Sequence, residues 1–350
     1  MPPWYMYLLY PFALLYGAIV SLRNRLFDKQ VLKSTSFDLP VIVVGNLSFG
    51  GTGKTPMVEY LIKLLSPLFP IATLSRGYGR KTVGYLSVEK KMKSMEVGDE
   101  PLVLKYKYPH IQVTVGEDRV LAIPQLLGDQ PLTRAVILDD AMQHRSLKPG
   151  MAILLTAYDQ LFTRDYLLPM GSLREPANQY KRANIIVVTK CPPNLDNNER
   201  QKIKDEIKPL PTQLLVFAFE RYGTAYSILN SERKPIDNNT TVYLVAAIAR
   251  PHYLESHIRS HAKEVYTRYF PDHHAYTETD IEEFVTALKN ITAEDKVMLI
   301  TEKDAVKLIP FRDRIAKEQL PIYIQPVETD FFPKDKTIFD RELIEYVGRT

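Results

Sequence analysis

Cysteine is almost absent. Cys191 is the only one in 350 residues, which excludes a disulfide-stapled domain and a cysteine–histidine metal site and suits a reducing compartment. An excess of one charge sign is missing too: a formal net charge of +4 on a chain this long is not the footprint of a nucleic-acid binder, so no such partner is expected. Internal repeats and low-complexity tracts are lacking, which removes solenoids and disordered scaffolds. The sharpest absence is local. From Met1 to Leu22 there is no Asp, Glu, Lys or Arg.

That uncharged stretch carries Trp4, Tyr5, Tyr7, Tyr10, Phe12 and Tyr16, an aromatic content suited to a membrane boundary, and Arg23, Arg25 and Lys29 follow it. Export signals place positive charge before the apolar segment, so this order points to an uncleaved anchor with the rest of the chain on the cytoplasmic side. The length just suffices to span a bilayer. Pro11, however, interrupts the stretch, and Phe12, Leu15, Ile19, Leu22 and Leu26 form a helical stripe that favours burial in the plane of the interface. A first helix packed on the protein's own core is the competing reading. Residues 1–28 are therefore expected to form a membrane-associated helix.

The strongest positive signal is VIVVGNLSFGGTGKTP at residues 41–56: an apolar β-branched run, a glycine-rich turn, then a helical pattern. Backbone N–H groups exposed at Gly50, Gly51 and Gly53 suit phosphate oxygens, Lys54 the outer phosphates and Thr55 a Mg²⁺ ion, so ATP or GTP with Mg²⁺ is expected. Ser48 stands where the strict P-loop pattern has its first glycine, which puts a side chain at the expected hard turn. Beyond the loop, apolar runs at 71–74, 111–115, 135–138, 152–155 and 185–188 alternate with helical patterns, one of them at 54–65. This is the signature of an α/β fold with a mostly parallel sheet and helices on both faces, a P-loop NTPase-like domain placed at 29–212. Runs at 215–219, 226–229, 242–246, 265–269, 297–300 and 322–324 form a second series without a phosphate loop. They are read as a smaller α/β domain, 213–350, closing over the site, with the junction between Cys191 and Lys234.

In such sheets ligands gather beyond the carboxyl ends of the strands. Asp139 and Asp140 end the 135–138 run, and Asp139 is the expected metal ligand opposite Thr55; paired aspartates at that place also cap helices. Gln143 and His144 lie within the same turn, within reach of the γ-phosphate or an acceptor hydroxyl. SRGYGR (75–80) follows another run and offers two arginines. Asp99 in GDEP (98–101) reads equally as a helix cap or an acid in the site. In LPMGSLREP (168–176), Arg174 suits phosphate and Glu175 the metal shell. FPDHH (270–274) places a carboxylate beside two imidazoles, a proton-handling element or a turn, and TEKDAVK (301–307) follows a strand with Thr301 as its natural cap.

Taken together, GNLSFGGTGKTP, SRGYGR, GDEP, DDxxQH (139–144), LPMGSLREP, FPDHH and TEKDAVK resemble, in this order and over most of the chain, the tetraacyldisaccharide 4′-kinases, the lipid A 4′-kinases of Gram-negative envelopes. The resemblance implies transfer of the γ-phosphoryl group of ATP to the 4′-hydroxyl of a tetraacylated glucosamine disaccharide 1-phosphate, by a monomer at the cytoplasmic face of the inner membrane. It implies Asp99 as the base and His273 as the group that holds and tunes it, with Asp139 and Asp140 in the catalytic centre. Ser48, Phe49, Gly50, Gly51, Thr52, Gly53 and Lys54 would bind nucleotide, joined by Arg119, Gln143, His144 and Arg174; Thr55, Asp139 and Glu175 would hold Mg²⁺. Ala141 replaces the glycine that family members commonly carry after the aspartates. The rival reading is a membrane-tethered P-loop NTPase, a switch or a motor for a partner protein. A guanine-reading N-K-x-D motif would be needed for a GTPase switch, and Thr189-Lys190-Cys191-Pro192 stands at its place.

Overall fold

A computed structural model describes residues 4–349, without the side chains of Trp4, Tyr5 and Tyr7, so the aromatic reading at those three positions lies outside the described residues. Along the chain, strands β1 (Val41–Asn46), β2 (Ile71–Ser75), β3 (Leu86–Ser87), β4 (Gln112–Val115), β5 (Ala135–Asp139), β6 (Met151–Ala157), β7 (Ile185–Thr189) and β8 (Leu214–Tyr222) come first. They are followed by β9 (Ala225–Ser227), β10 (Arg233–Lys234), β11 (Thr241–Ala246), β12 (Glu264–Tyr269), β13 (Lys296–Thr301), β14 (Ile322–Gln325) and β15 (Val327–Phe331). The larger sheet has the order β15-β8-β7-β6-β1-β5-β2-β4-β3, parallel except for β3 and β15 at its edges. The smaller has the order β10-β9-β14-β13-β11-β12. Both are α/β sheets, as the alternating runs imply. β1, β5, β6 and β7 are buried along their whole length, which is why they read as unbroken apolar runs rather than alternating ones.

The domain boundary differs from the one read in the sequence. β8 pairs in parallel with β7, and β15 returns to pair antiparallel with β8, so residues 214–222 and 327–331 complete the first sheet rather than the second. The last helix, Pro333–Gly348, goes with them: Phe339, Leu343 and Val347 share one core with Val44, Met57 and Ile62. Strand spacing alone carries no address for the sheet a strand joins, and the linear order hid a chain that leaves the first lobe and comes back. Two segments therefore join the lobes, at Gly223–Thr224 and at Pro326, and the Gly223 N–H bonds the Pro326 carbonyl at 3.1 Å.

Helix α1 (Tyr10–Asp28) lies on the large lobe through a narrow face of Ala13, Gly17 and Asn24. A Cβ at position 17 would stand 2.7 Å from Leu167 Cδ1, so glycine lets the helix approach without displacing that side chain. Phe12, Leu15, Ile19 and Leu22 point outward at about 60% exposure, with Leu8 and Leu14 beside them. The competing reading of a first helix packed on the protein's own core thus holds for one narrow face, bonded to the 168–176 loop through Tyr16 and Asn24, while the apolar stripe is left open. Among the described residues no helix is long and apolar enough to cross a membrane, so the spanning reading falls.

Candidate active site

The phosphate loop joins β1 to helix α2 (Lys54–Leu65). Its hard turns fall on Gly50 (φ +108°) and Gly53 (φ +85°), conformations that glycine adopts without strain. Ser48 carries no such demand. It forms an isolated bridge with Leu173, and the Phe49 N–H bonds the Ser172 carbonyl at 2.8 Å, so the departure from the strict motif is absorbed by pairing with the 168–176 loop. The loop is braced from below: Asn46 Nδ2 donates to Thr52 Oγ1 (2.9 Å) and Thr189 Oγ1 to the Thr52 carbonyl (2.8 Å).

β5 delivers the two aspartates. Asp140 takes the left-handed turn itself (φ +48°), which is why Ala141 is tolerated after it. Arg174 donates to both Asp140 oxygens (2.7 and 3.1 Å) and to Asn46, with Lys54 3.8 Å from Asp140. Burial works to raise the Asp140 pKa, but Lys54 and Arg174 outweigh it and hold this carboxyl below its ordinary range. Asp139 is different: 8% exposed, with Oδ1 buried and without a hydrogen-bond partner, and pushed up to about 7 chiefly by burial, against the pull of Lys54. A buried carboxylate with a spare oxygen, close enough to Lys54 of the loop to feel its charge, fits a divalent cation. Among the described residues no three acidic, histidine or cysteine side chains are arranged to hold a metal ion by themselves, so such an ion would depend on the phosphates for its remaining ligands.

The expected metal role of Glu175 is a misfit. Its Oε1 accepts from Asn24 of α1 (3.0 Å) and its Oε2 from Gln143 (3.2 Å) and Arg182, so both oxygens are taken inside the protein. Gln143 also donates to the Asn46 carbonyl (2.9 Å), bracing the base of the loop. His144 Nε2 sits 3.0 Å from Ser146 Oγ, and burial, then Arg119, pushes its pKa down. Arg119 is 3% exposed with Nε unpartnered, and its pKa is lowered by burial to about 10. Arg80, one of the two SRGYGR arginines, is committed to Glu117, and Arg76 is left exposed.

Asp99 starts helix α3 (Asp99–Lys107), and no side chain caps that helix. Gly98 (φ +93°) and Gly77 (φ +69°) meet back to back: a Cβ on Gly77 would stand 2.7 Å from the Val97 carbonyl, and one on Gly98 3.0 Å from Gly77. This contact sets Asp99 beside the smaller lobe. His273 Nδ1 lies 3.1 Å from Asp99 Oδ2, with the Tyr78 ring 4.7 Å away on the imidazole face. His274 goes elsewhere, to Asp280 at 3.1 Å and against Phe270, so His273 is the imidazole that faces Asp99. The two lobes join the pair in this conformation without a further closing movement. Helix α8 of the smaller lobe (numbered after α4, Arg119–Asp129; α5, Asn197–Ile207; α6, His252–Arg259; and α7, Glu278–Asn290) spans Glu302–Leu308, capped by Thr301 as expected. It runs a ladder of ion pairs against α3: Lys307 to Asp99 (4.0 Å), Lys303 to Glu100 (2.9 Å) and Glu302 to Lys107 (2.8 Å), Lys107 also pairing with Glu59 of α2. A cavity of about 180 Å³ between the lobes is lined by Thr55, Glu100, Lys190, Arg250 and Lys303, so the start of the phosphate-loop helix shares one space with Glu100 and Lys303, the immediate neighbours of Asp99 and His273.

Sequence reasoning missed Arg250, whose guanidinium lies 3.6 Å from where a Cβ of Gly50 would be, and the α8 lysines. Arg250 follows β11 just as the recognised strings follow their strands, and that position was the available signal.

The profile of the Tetraacyldisaccharide-1-P 4′-kinase family matches residues 5–347. The chain belongs to the tetraacyldisaccharide 4′-kinase family. A relative of that name from Flavobacterium johnsoniae is 42% identical over 345 residues, covering 97% of this chain and 96% of its own. Another from Bacteroides thetaiotaomicron is 39% identical, covering 97% and 92%. Among solved structures, the "apo" form of the Aquifex aeolicus LpxK protein in complex with ATP superposes with a TM-score of 0.73 at 28% identity, over 98% of this chain and 99% of that one.

Proposed function

We propose that this tetraacyldisaccharide 4′-kinase family member transfers the γ-phosphoryl group of ATP to the 4′-hydroxyl of a tetraacylated disaccharide 1-phosphate, a lipid A precursor, with Asp99 as the base. The carrying observation is the contact of Asp99 with His273 across the lobes, next to Glu100 and Lys303, which line a cavity together with Thr55. Asp99 takes the hydroxyl proton, the sugar oxygen bonds to the γ-phosphorus, and the bond from that phosphorus to the β,γ-bridging oxygen breaks to leave ADP. The loop N–H groups and Lys54 hold the phosphates. Arg119, Arg174 and Arg250 neutralise charge, and positioning with neutralisation carries most of the rate in phosphoryl transfer. Thr55 and Asp139 would hold Mg²⁺, which when bound draws charge from the transferring phosphoryl oxygens.

The open face of α1 supports an interfacial anchor. Phe12, Leu15, Ile19 and Leu22 are exposed above Arg23 and Arg25, and burying apolar side chains of this size contributes about 1.5–3 kcal/mol each. On this reading the protein works, as a monomer, at the cytoplasmic leaflet of the inner membrane, where an acylated acceptor keeps its chains in lipid while its sugar meets a soluble nucleotide. A P-loop NTPase that serves only a partner protein has no use for the Asp99–His273 pair.

The test is incubation with γ-labelled ATP, Mg²⁺ and detergent-dispersed disaccharide lipid. Label is expected in the lipid with the native chain and absent with Asp99→Ala, while ATP binding persists; label that appears only as free phosphate would overturn the kinase reading.

A further inference from the structure

His273 is held from both ring nitrogens. Nδ1 faces Asp99 Oδ2 at 3.1 Å, and Nε2 faces the Lys303 ammonium at 3.2 Å. An ammonium has three donors and no acceptor, so it bonds only to a ring nitrogen that carries a lone pair. Two carboxylates also stand near Nε2, Asp272 at 3.8 Å and Glu100 at 3.9 Å, both beyond hydrogen-bond reach. Each is already engaged by Lys303 itself at 2.9 Å. The same two carboxylates keep the lysine charged: burial works against the ammonium, but Glu100 and Asp272 outweigh it and hold the Lys303 pKa above its ordinary value. Tyr78 covers the ring face and brings no competing charge.

We propose that Lys303 is a positioning residue that fixes the tautomer of His273, leaving the lone pair on Nε2 and the proton on Nδ1, where it is donated to Asp99. This rests on Asp99 as the base and adds a direction to it. The imidazole offers Asp99 a hydrogen bond that orients the carboxylate, and it cannot take over the proton that Asp99 receives, because Nδ1 is occupied and Nε2 faces a cation. The sugar proton therefore stays on Asp99 until solvent removes it. In this dyad the histidine orients, as a second carboxylate or carbonyl orients histidine in other sites.

Histidine-selective ¹⁵N NMR of the full-length protein at pH 8, with His273→Gln used only to assign its signals, reads the tautomer directly. The expected native spectrum has a protonated-type Nδ1 and an unprotonated-type Nε2 for His273. Lys303→Met should mix the tautomers and lower kcat about tenfold with KM for ATP within about twofold, and Lys303→Arg, which keeps donors at Nε2, should restore both. An Nε2–H tautomer or a doubly protonated ring in the native protein overturns the proposal. So does Lys303→Met with an unchanged tautomer, whatever its kcat. The native spectrum decides even where Lys303→Met fails to fold. Kinase activity surviving in Asp99→Ala would remove the base reading while leaving the tautomer result intact.

Discussion

The phosphate loop and the Asp99–His273 pair flank one interlobe cavity, through Thr55 on one side and Glu100 and Lys303 on the other, but are built in opposite ways. The loop is a contiguous string whose shape is set by its own glycines and braced from directly beneath by Asn46 and Thr189. The Asp99–His273 pair is assembled from residues 174 positions apart on two lobes, held by ion pairs between α3 and α8. Local geometry can be encoded in one segment. A site that must admit a large acceptor between two bodies has to be encoded in the interface, and its residues are then exposed to whatever disturbs that interface.

Single substitutions at Lys54 and Asp99 separate the two regions most widely. Lys54→Ala should abolish both ATP binding and turnover, whereas Asp99→Ala should reduce phosphorylation of lipid by about 10²–10⁴-fold with ATP affinity nearly unchanged, as equilibrium binding and initial rates would measure. Next in size is the interface. Lys107 bridges Glu59 of the phosphate-loop helix and Glu302 of α8. Lys107→Met leaves the buried Glu59 and the largely buried Glu302 without their shared cation and is expected to destabilise the fold by about 3 kcal/mol, read by urea denaturation. The metal assignment separates two acids of the large lobe: Asp139→Asn should raise the Mg²⁺ concentration needed for half-maximal activity, and Glu175→Gln should leave it unchanged while lowering Tm, because Glu175 serves Asn24 and Arg182 instead.

The smallest effect belongs to the second lobe alone. Burial, then His261, lowers His257 to about 4, from an ordinary value near 6.5. A histidine depressed in the folded state binds its proton more readily unfolded, so this contribution to stability is whole above pH ~6.5 and is lost as pH falls from there toward 4. His257→Gln should therefore narrow the drop in Tm between pH 7.5 and pH 5, and an unchanged drop would contradict the assignment.

The legibility of the sequence divides along the same line. Strands buried on both faces wrote themselves as apolar runs, and the phosphate loop as a glycine-rich turn, because each depends on neighbours in the chain. Asp99 alone was ambiguous between a cap and an acid; only its partner across the lobes decides, and that partner is recorded in no local pattern. The return of β15 and the final helix to the first sheet was illegible for the same reason. Glu175 misled because a carboxylate beside Arg174 in a phosphate-loop protein suggests a metal, while the asparagine that claims it sits 151 positions earlier, on a helix whose apolar face is its more conspicuous feature.

Kinetics of the Asp99→Asn, His273→Ala and doubly substituted proteins on the lipid acceptor test the interlobe dyad most directly. A histidine that acts only through Asp99 gives a double variant no slower, within about twofold, than Asp99→Asn alone. Losses that multiply in full would show two independent roles and contradict a base site shared between the lobes.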